Sequence, residues 1–252
     1  MTALLLDIGN SRIKWGVLDD GSIHRTGHIT HDSIQDQGLA ALTSRLPRRV
    51  DTVFASNVAG TSFATRLSGV VGMHCDTDVH FARSEKAACG VTNSYRQSRR
   101  LGVDRWVAMI GARAEVESAC LVVDAGTAVT IDALDANGRH LGGQIIPSVS
   151  LMAGSLAART SDIPNIQRRA ASQQSGTQMF ASTTAGAVGQ GSLNAVVGAV
   201  ERAATAVRDD QGDATIILTG GDASRILKSL DDEAIHRPHL VLQGLAQLLE
   251  HR

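Results

Sequence analysis

The chain of 252 residues has little cysteine: Cys75, Cys89 and Cys120 are odd in number and show no Cys-x-x-Cys spacing. That argues against a disulfide framework and predicts three reduced thiols in a cytosolic protein. Its nine histidines contain no His-Glu-x-x-His pattern, so a dedicated zinc site is not expected. Neither sign of charge is in excess, since 24 Lys and Arg stand against 25 Asp and Glu for a formal net charge of −1. The wide basic face of a nucleic-acid binder is therefore missing, and the basic cluster of Arg96, Arg99, Arg100 and Arg105 is local. No apolar run approaches a membrane span, and the first residues lack the basic start and small-residue cleavage site of a secretory signal. The expectation is a cytoplasmic protein with no membrane or nucleic-acid partner.

What the chain does have is a distinctive start. The apolar run Ala3-Leu4-Leu5-Leu6 leads into Asp7-Ile8-Gly9-Asn10-Ser11-Arg12-Ile13-Lys14. A strand delivers a carboxylate to its end, and a glycine lets the backbone turn close to a ligand. Asn10, Ser11 and Lys14 add hydrogen-bonding groups and a cation at the same spot. Trp15-Gly16-Val17-Leu18 resumes the strand pattern, and Asp19-Asp20-Gly21 reads as a hairpin turn. Such a bend suits a nucleotide phosphate and its magnesium: the lysine meets phosphate oxygens, and the acid orders a magnesium-bound water. Taken alone, Asp-x-Gly fits an ordinary hairpin turn equally well.

The same grammar returns halfway along. Leu121-Val122-Val123-Asp124-Ala125-Gly126-Thr127-Ala128-Val129-Thr130-Ile131-Asp132 is again a β-branched run ending in Asp-x-Gly-Thr, then an alternating strand with its turn at Asp135-Ala136-Asn137-Gly138. Two such hairpins indicate a duplicated architecture. A third element, Thr215-Ile216-Ile217-Leu218-Thr219-Gly220-Gly221-Asp222-Ala223, runs an apolar strand into paired glycines that open a helix. Three strand-end signals in this order resemble the superfamily of acetate and sugar kinases, actin and chaperone ATPases. The resemblance implies an α/β chain with a duplicated actin-like, ribonuclease H-like ATPase fold.

Between the hairpins the pattern alternates. Strands are expected at Thr52 to Val58 and Val79 to Ala82, and helices at Ser62 to Val71 and from Trp106 to Val116, the latter opening just after Asp104. Further on, Gly142 to Pro147 reads as a strand, Ser148 to Arg159 as a helix, and Ser161 to Gly176 as a surface loop. Helical patterning returns at Ala185 to Val207, and the apolar segment Leu240 to Leu249 is expected as a helix docked on the second core. The halves divide as 1–117 and 118–252, with the boundary near Glu115 to Ala119.

Leu101-Gly102-Val103-Asp104-Arg105-Trp106 completes the set. An acid at a helix start, next to a guanidinium and the helix's N–H donors, can accept a proton from a hydroxyl attacking a γ-phosphate. By itself it also reads as a helix-end acid with a structural ion pair. The joint pattern, however, resembles the type III pantothenate kinases, a family also known as Bvg accessory factor-like. Asp7 to Lys14 matches its Asp-x-Gly-Asn-Thr-x-x-Lys phosphate motif, Leu101 to Arg105 its pantothenate motif, and Asp124 to Asp132 its second phosphate motif. Gly142-Gly143 through Pro147, Thr184 to Gly191, Thr219 to Asp222 and Leu240 to Leu245 follow in family order, so the likeness runs over essentially the whole chain.

The resemblance implies ATP-dependent phosphorylation of pantothenate, the first committed step towards coenzyme A. It makes Asp104 the general base and places Asp7, Ile8, Gly9, Asn10, Ser11, Arg12, Ile13 and Lys14, with Thr127, on ATP. Asp124 would hold the required monovalent cation, potassium or ammonium, and magnesium would arrive with ATP. Tyr95, Gly102, Val103, Asp104, Arg105 and Thr184 would contact pantothenate, Thr184 coming from the second subunit of a homodimer. The chain departs from the family pattern at Ser11 (usually threonine), Ser98 (often proline) and Ser148 (often glycine). Another kinase of the same fold, such as a sugar kinase, and a non-catalytic nucleotide-binding accessory protein are the competing readings. The length speaks against the first, and the three intact acids Asp7, Asp104 and Asp124 against the second.

Overall fold

Ala3–Ile8 is buried along its whole length and forms β1, the middle strand of one of two five-stranded sheets in the computed structural model, which describes residues 1–159 and 179–251. The chain divides into one unit of residues 1–117 with 239–252, and a second of residues 118–238.

In the first unit β1 pairs antiparallel with β2 (Arg12–Asp19), which returns as β3 (Ser22–Thr30). The turn between them places Asp20 and Gly21 at φ 46° and 72°, the left-handed pair that a tight two-residue hairpin requires. Two helices, α1 (His31–Gln37) and α2 (Ala40–Thr43), lead to β4 (Thr52–Asn57), and α3 (Thr61–Cys75) leads to β5 (Val79–Phe81). The sheet order is β3-β2-β1-β4-β5. A small hairpin, β6 (Ala87–Ala88) and β7 (Val91–Thr92), then precedes a 3-10 turn at Ser98–Arg100 and α4 (Val103–Arg113). Leu4, Leu6, Ile8, Ile13, Trp15, Val53 and Ala55 share one core with Leu42, Leu67 and Val71 of α2 and α3. Because strand side chains alternate, Asp7, Lys14 and Ser56 fall together on the opposite face.

The second unit repeats this plan. β8 (Ala119–Ala125), β9 (Ala128–Leu134) and β10 (His140–Pro147) form the antiparallel part, followed by α5 (Val149–Arg159) and α6 (Thr184–Gln211). Then come β11 (Ala214–Thr219), α7 (Ala223–Leu227) and β12 (Ala234–His236). The order β10-β9-β8-β11-β12 matches the first sheet strand for strand, so the expected duplication of a mixed α/β sheet is present. Leu121, Val123, Ala125, Ile216 and Leu218 pack against Leu193, Val196, Val200 and Ala204 of α6. Asp124 and Thr219 lie on the other face by the same alternation.

The terminal helix α8 (Leu240–Glu250) is a correction to the sequence reading. It does not join the second core, and residues 239–252 do not belong with 118–238. Instead α8 lies on α4, β1, β2 and β4 of the first unit. Its apolar face announces burial but not the partner. What selects α4 is backbone contact at two glycines: a Cβ on Gly244 would overlap the carbonyl of Val107, and one on Gly111 would stand 2.5 Å from the carbonyl oxygen of Leu240. A second correction is local. The α4 helix opens at Val103, so Asp104 lies inside its first turn rather than ahead of it. The expected loop from Ser161 to Gly176 lies outside the described residues. Among those described, no helix is long and apolar enough to cross a membrane.

Candidate active site

Asp7 ends an apolar strand and is only 8 % exposed. Lys14 stands opposite it on β2 and Ser56 beside it on β4. The Ser56 hydroxyl donates to Asp7 Oδ1 at 2.9 Å. Burial pushes the carboxyl above its usual range; the Lys14 charge and the Ser56 bond pull it back, and the charge of Asp104 adds to the rise. That last effect brings together two acids taken from separate motifs. A carboxylate held this way beside an ammonium can order a magnesium ion at a phosphate.

The turn after Asp7 exposes Asn10, Ser11 and Arg12. It is closed by the Gly9 amide, which donates to the Arg12 carbonyl at 3.1 Å. It is also held from outside by a residue the sequence reading missed. His31, first in α1, donates its backbone amide to the Ser11 carbonyl at 3.0 Å, and its Nε2 lies 2.8 Å from the Gly9 carbonyl oxygen. The imidazole packs on Phe63 with ring centroids 4.7 Å apart. Only its position after Thr30, the N-cap of α1, could have marked it in the sequence.

Tyr95, Asp104 and Arg105 also converge in this unit. Gly102 caps α4, and Asp104 Oδ1 accepts the Arg105 backbone amide at 2.8 Å. The Arg105 side chain is buried at 6 % exposure and donates from NH1 to the Tyr95 hydroxyl at 3.2 Å, its guanidinium 6.0 Å from the ring centre. The loop bearing Tyr95 is organised by Asn93, another residue the sequence reading passed over. Asn93 is fully buried, and its Nδ2 donates to the carbonyls of Glu85 and Ser98, both at 3.1 Å. Its Oδ1 accepts the Tyr95 amide at 2.9 Å, and its carbonyl accepts Lys86 Nζ at 2.9 Å. A buried amide with donors and acceptor all used fixes a loop that has little regular structure of its own.

In the second unit Asp124 ends β8 as Asp7 ends β1, with Gly126 and Thr127 forming the turn. The Gly126 amide donates to the Ala128 carbonyl at 3.0 Å. Thr130 faces Asp124 across the hairpin and Thr219 stands beside it on β11. Gly220 follows at φ +95°; a side chain there would overlap the Ala125 backbone and put a Cβ 2.6 Å from Asp124 Oδ1. The backbone amide of Asp222 donates to the Ala125 carbonyl at 3.1 Å, which ties the β11–α7 turn to the end of β8.

Thr184 belongs to a different element from Asp124 and Thr127. It opens α6 and lines a cavity of about 670 Å³ with Pro147, Leu151, Met152 and Val188. Its neighbour Thr183 is the N-cap, its hydroxyl accepting the Gly186 amide at 3.1 Å.

The model of the type III pantothenate kinase family matches residues 3–206. A type III pantothenate kinase of Nitrosococcus oceani is 35 % identical over 254 residues, covering 97 % of this chain and 92 % of that protein. Among solved structures, a Baf family protein of Campylobacter jejuni, described as a transcriptional activator, aligns at a TM-score of 0.61 and 23 % identity over 98 % of this chain and 97 % of that one. A protein of Sinorhizobium meliloti described as a 2-dehydro-3-deoxygalactonokinase aligns at 0.56 and 14 % identity, over 97 % of both chains. At these identities the structural likeness is one of fold, the duplicated actin-like α/β fold of sugar kinases. The match of the family model and the full-length identity go further: the chain belongs to the type III pantothenate kinase family.

Proposed function

We propose that this protein transfers the γ-phosphoryl group of ATP to the primary hydroxyl of pantothenate, giving 4′-phosphopantothenate for coenzyme A synthesis in the cytoplasm. The observation that carries this reading is the buried Asp7 carboxyl near a strand end, bonded by Ser56 and faced by Lys14, in the same unit as Asp104 in the first turn of α4. A phosphate-ordering acid and a second acid set for proton transfer are the two protein groups such a reaction needs.

Asp104 accepts the proton of the substrate hydroxyl as its oxygen attacks the γ-phosphorus and the bond to the ADP oxygen breaks. Its carboxylate is held in the first turn of α4, its Oδ1 accepting the Arg105 backbone amide. Tyr95, Gly102, Val103 and Arg105 position pantothenate, Arg105 and Tyr95 being already locked to one another. Asp7 to Lys14 and Thr127 hold ATP, the exposed turn offering amides and Lys14 a point charge. Magnesium, when bound with ATP, neutralises charge on the β- and γ-phosphate oxygens, and Asp7 is the residue suited to hold it.

Asp124 holds a monovalent cation, potassium or ammonium. The fit is supported by Thr219 in the same row, whose Oγ1 is buried without a hydrogen-bond partner. Thr184 serves the partner subunit of a homodimer. The exposed Leu151, Leu156 and Phe180 near the ends of α5 and α6 support an apolar interface on this side of the second unit.

A coupled assay of ADP release with pantothenate and ATP, with and without potassium, tests the reading. Saturable, pantothenate-dependent turnover is the expected result. A preference for a hexose or acetate over pantothenate would overturn it.

A further inference from the structure

The segment that leads into α4 carries charge that the proposed reaction leaves unused. From residue 83 to 105 stand six basic residues, Arg83, Lys86, Arg96, Arg99, Arg100 and Arg105, against two acids, Glu85 and Asp104. The chain as a whole has a formal net charge of −1, so this stretch opposes the rest. Arg105 is buried and bonded to Tyr95, and Lys86 is bonded to the Asn93 carbonyl. Arg96, Arg99 and Arg100 are exposed, and none of the hydrogen bonds or ion pairs among the described residues uses their side chains. Their backbone, by contrast, is pinned. The Ser98 carbonyl accepts Asn93 Nδ2 at 3.1 Å, and the Leu101 carbonyl accepts the buried Ser84 hydroxyl at 2.8 Å. The amides of Arg100 and Leu101 close the turn onto the carbonyls of Gln97 and Ser98. Three like charges within five residues repel one another, and a fixed backbone limits how far they can spread. The result is a standing positive field next to the Tyr95–Arg105 pair.

We propose that Arg96, Arg99 and Arg100 form an anion-attracting rim that draws in the carboxylate end of the hydroxyl substrate and favours the acid over neutral alcohols. This rests on the reading of pantothenate as that substrate and adds the groups that recognise its charge. Pantothenate has its primary hydroxyl at one end and a carboxylate at the other, ionised at any pH well above the ordinary carboxyl range. Asp104, which takes the hydroxyl proton, follows Arg100 closely in the chain, so the rim and the proton acceptor share one short segment. Attraction of this kind tolerates distance and needs no fixed contact. Three charges acting at about 10 Å in water strengthen binding roughly threefold at about 0.03 M ionic strength. At about 0.3 M the screening length falls below that separation, and the gain drops below about twofold.

The test measures the KM for pantothenate at saturating ATP and fixed potassium, with choline chloride setting the ionic strength. The wild-type KM should rise as ionic strength goes from about 0.03 to about 0.3 M. Arg96→Gln, Arg99→Gln and Arg100→Gln combined should raise the KM roughly threefold at the low end, change it little at the high end and leave kcat as it was. Arg96→Lys, Arg99→Lys and Arg100→Lys combined should behave as wild type, because the charge is kept. Arg45, Arg48 and Arg49 are also exposed but precede the end of β4 remote from Ser56. Arg45→Gln, Arg48→Gln and Arg49→Gln combined remove the same charge away from the rim and should leave the KM alone. Rim glutamines that keep the wild-type salt dependence would overturn the proposal. An equal rise in the control set would do the same by assigning the effect to net charge, and an equal rise in the lysine set by assigning it to a shaped contact. Pantothenate turnover with a salt-insensitive wild-type KM would sink the rim alone. Turnover of a neutral alcohol with none of pantothenate would sink the substrate reading and the rim with it.

Discussion

His31 grips the backbone of the turn after Asp7 at Gly9, its Nε2 2.8 Å from that carbonyl oxygen, while its own amide holds Ser11 two residues on. The contact fixes a turn whose side chains are exposed and which we propose holds ATP. His31→Ala should raise the KM for ATP roughly fivefold, in line with about 1 kcal/mol for one hydrogen bond, and leave the KM for pantothenate unchanged. His31→Gln, which keeps an N–H donor on a side chain of similar reach, should recover part of the loss. Equal effects on both KM values would show a general destabilisation instead.

Asp7 trades stability for charge. Its folded-state pKa lies above the usual 3.8, with burial the largest cause, so the folded state favours the protonated acid. The stability that this group contributes is complete below the unfolded value and is lost as pH rises through the folded one. At neutral pH, then, the ionised side chain is a net cost. Asp7→Asn, which keeps the acceptor for Ser56, should raise Tm at pH 8 and lose that advantage as the pH falls towards the carboxylate range. Turnover should fall by roughly 10²-fold or more, since the group we propose to order phosphate and metal is gone. A variant less stable than wild type across the whole range would contradict the burial argument.

For Asp104 the expectation is chemical. Asp104→Asn should lower kcat by roughly 10²–10⁴-fold with ATP binding and Tm nearly unchanged. Mixed with Thr184→Arg, it also tests the shared site. Statistical exchange of the two inactive homodimers should restore about a quarter of wild-type activity, because half the dimers then carry one intact site. Exchange proven by mass spectrometry but without recovery would place Thr184 in its own chain's site.

Asn93 tests the proposed pantothenate loop without needing to touch substrate. Asn93→Ala removes both donors to Glu85 and Ser98 and the acceptor for Tyr95. It should cost about 1–3 kcal/mol of stability, and, below the lowered Tm, raise the KM for pantothenate with little change in the KM for ATP. A kcat loss with both KM values intact would mean that the loop positions Asp104 rather than Tyr95 and Arg105.

The crossing of α4 and α8 carries a structural prediction. Gly244→Ala sets a methyl group against the Val107 carbonyl, so the helices must part. The expected loss is about 1–3 kcal/mol or more, with a fall in activity because α4 carries Asp104. Wild-type Tm in urea or heat unfolding would show that the crossing is looser than the contact implies.

The sequence by itself determined the strand-end acids, the two hairpins and the order of the motifs. These are local facts: an apolar run, a carboxylate and a glycine turn lie within a dozen residues, and each occurs twice. Helices with strong periodicity, such as α3 and α6, were equally legible within a few residues at their ends. The tertiary structure decided what depends on separated segments meeting. Ser56 reaches Asp7, and Thr219 stands beside Asp124, only through parallel pairing of β1 with β4 and β8 with β11. His31 and Asn93 act through backbone atoms, which carry no sequence signature, and β3 is too exposed to alternate clearly. The placement of α8 was misread because an apolar face records that it is buried, not against what. Gly111 and Gly244, far apart in sequence, settle that by admitting a backbone approach that any larger side chain would forbid.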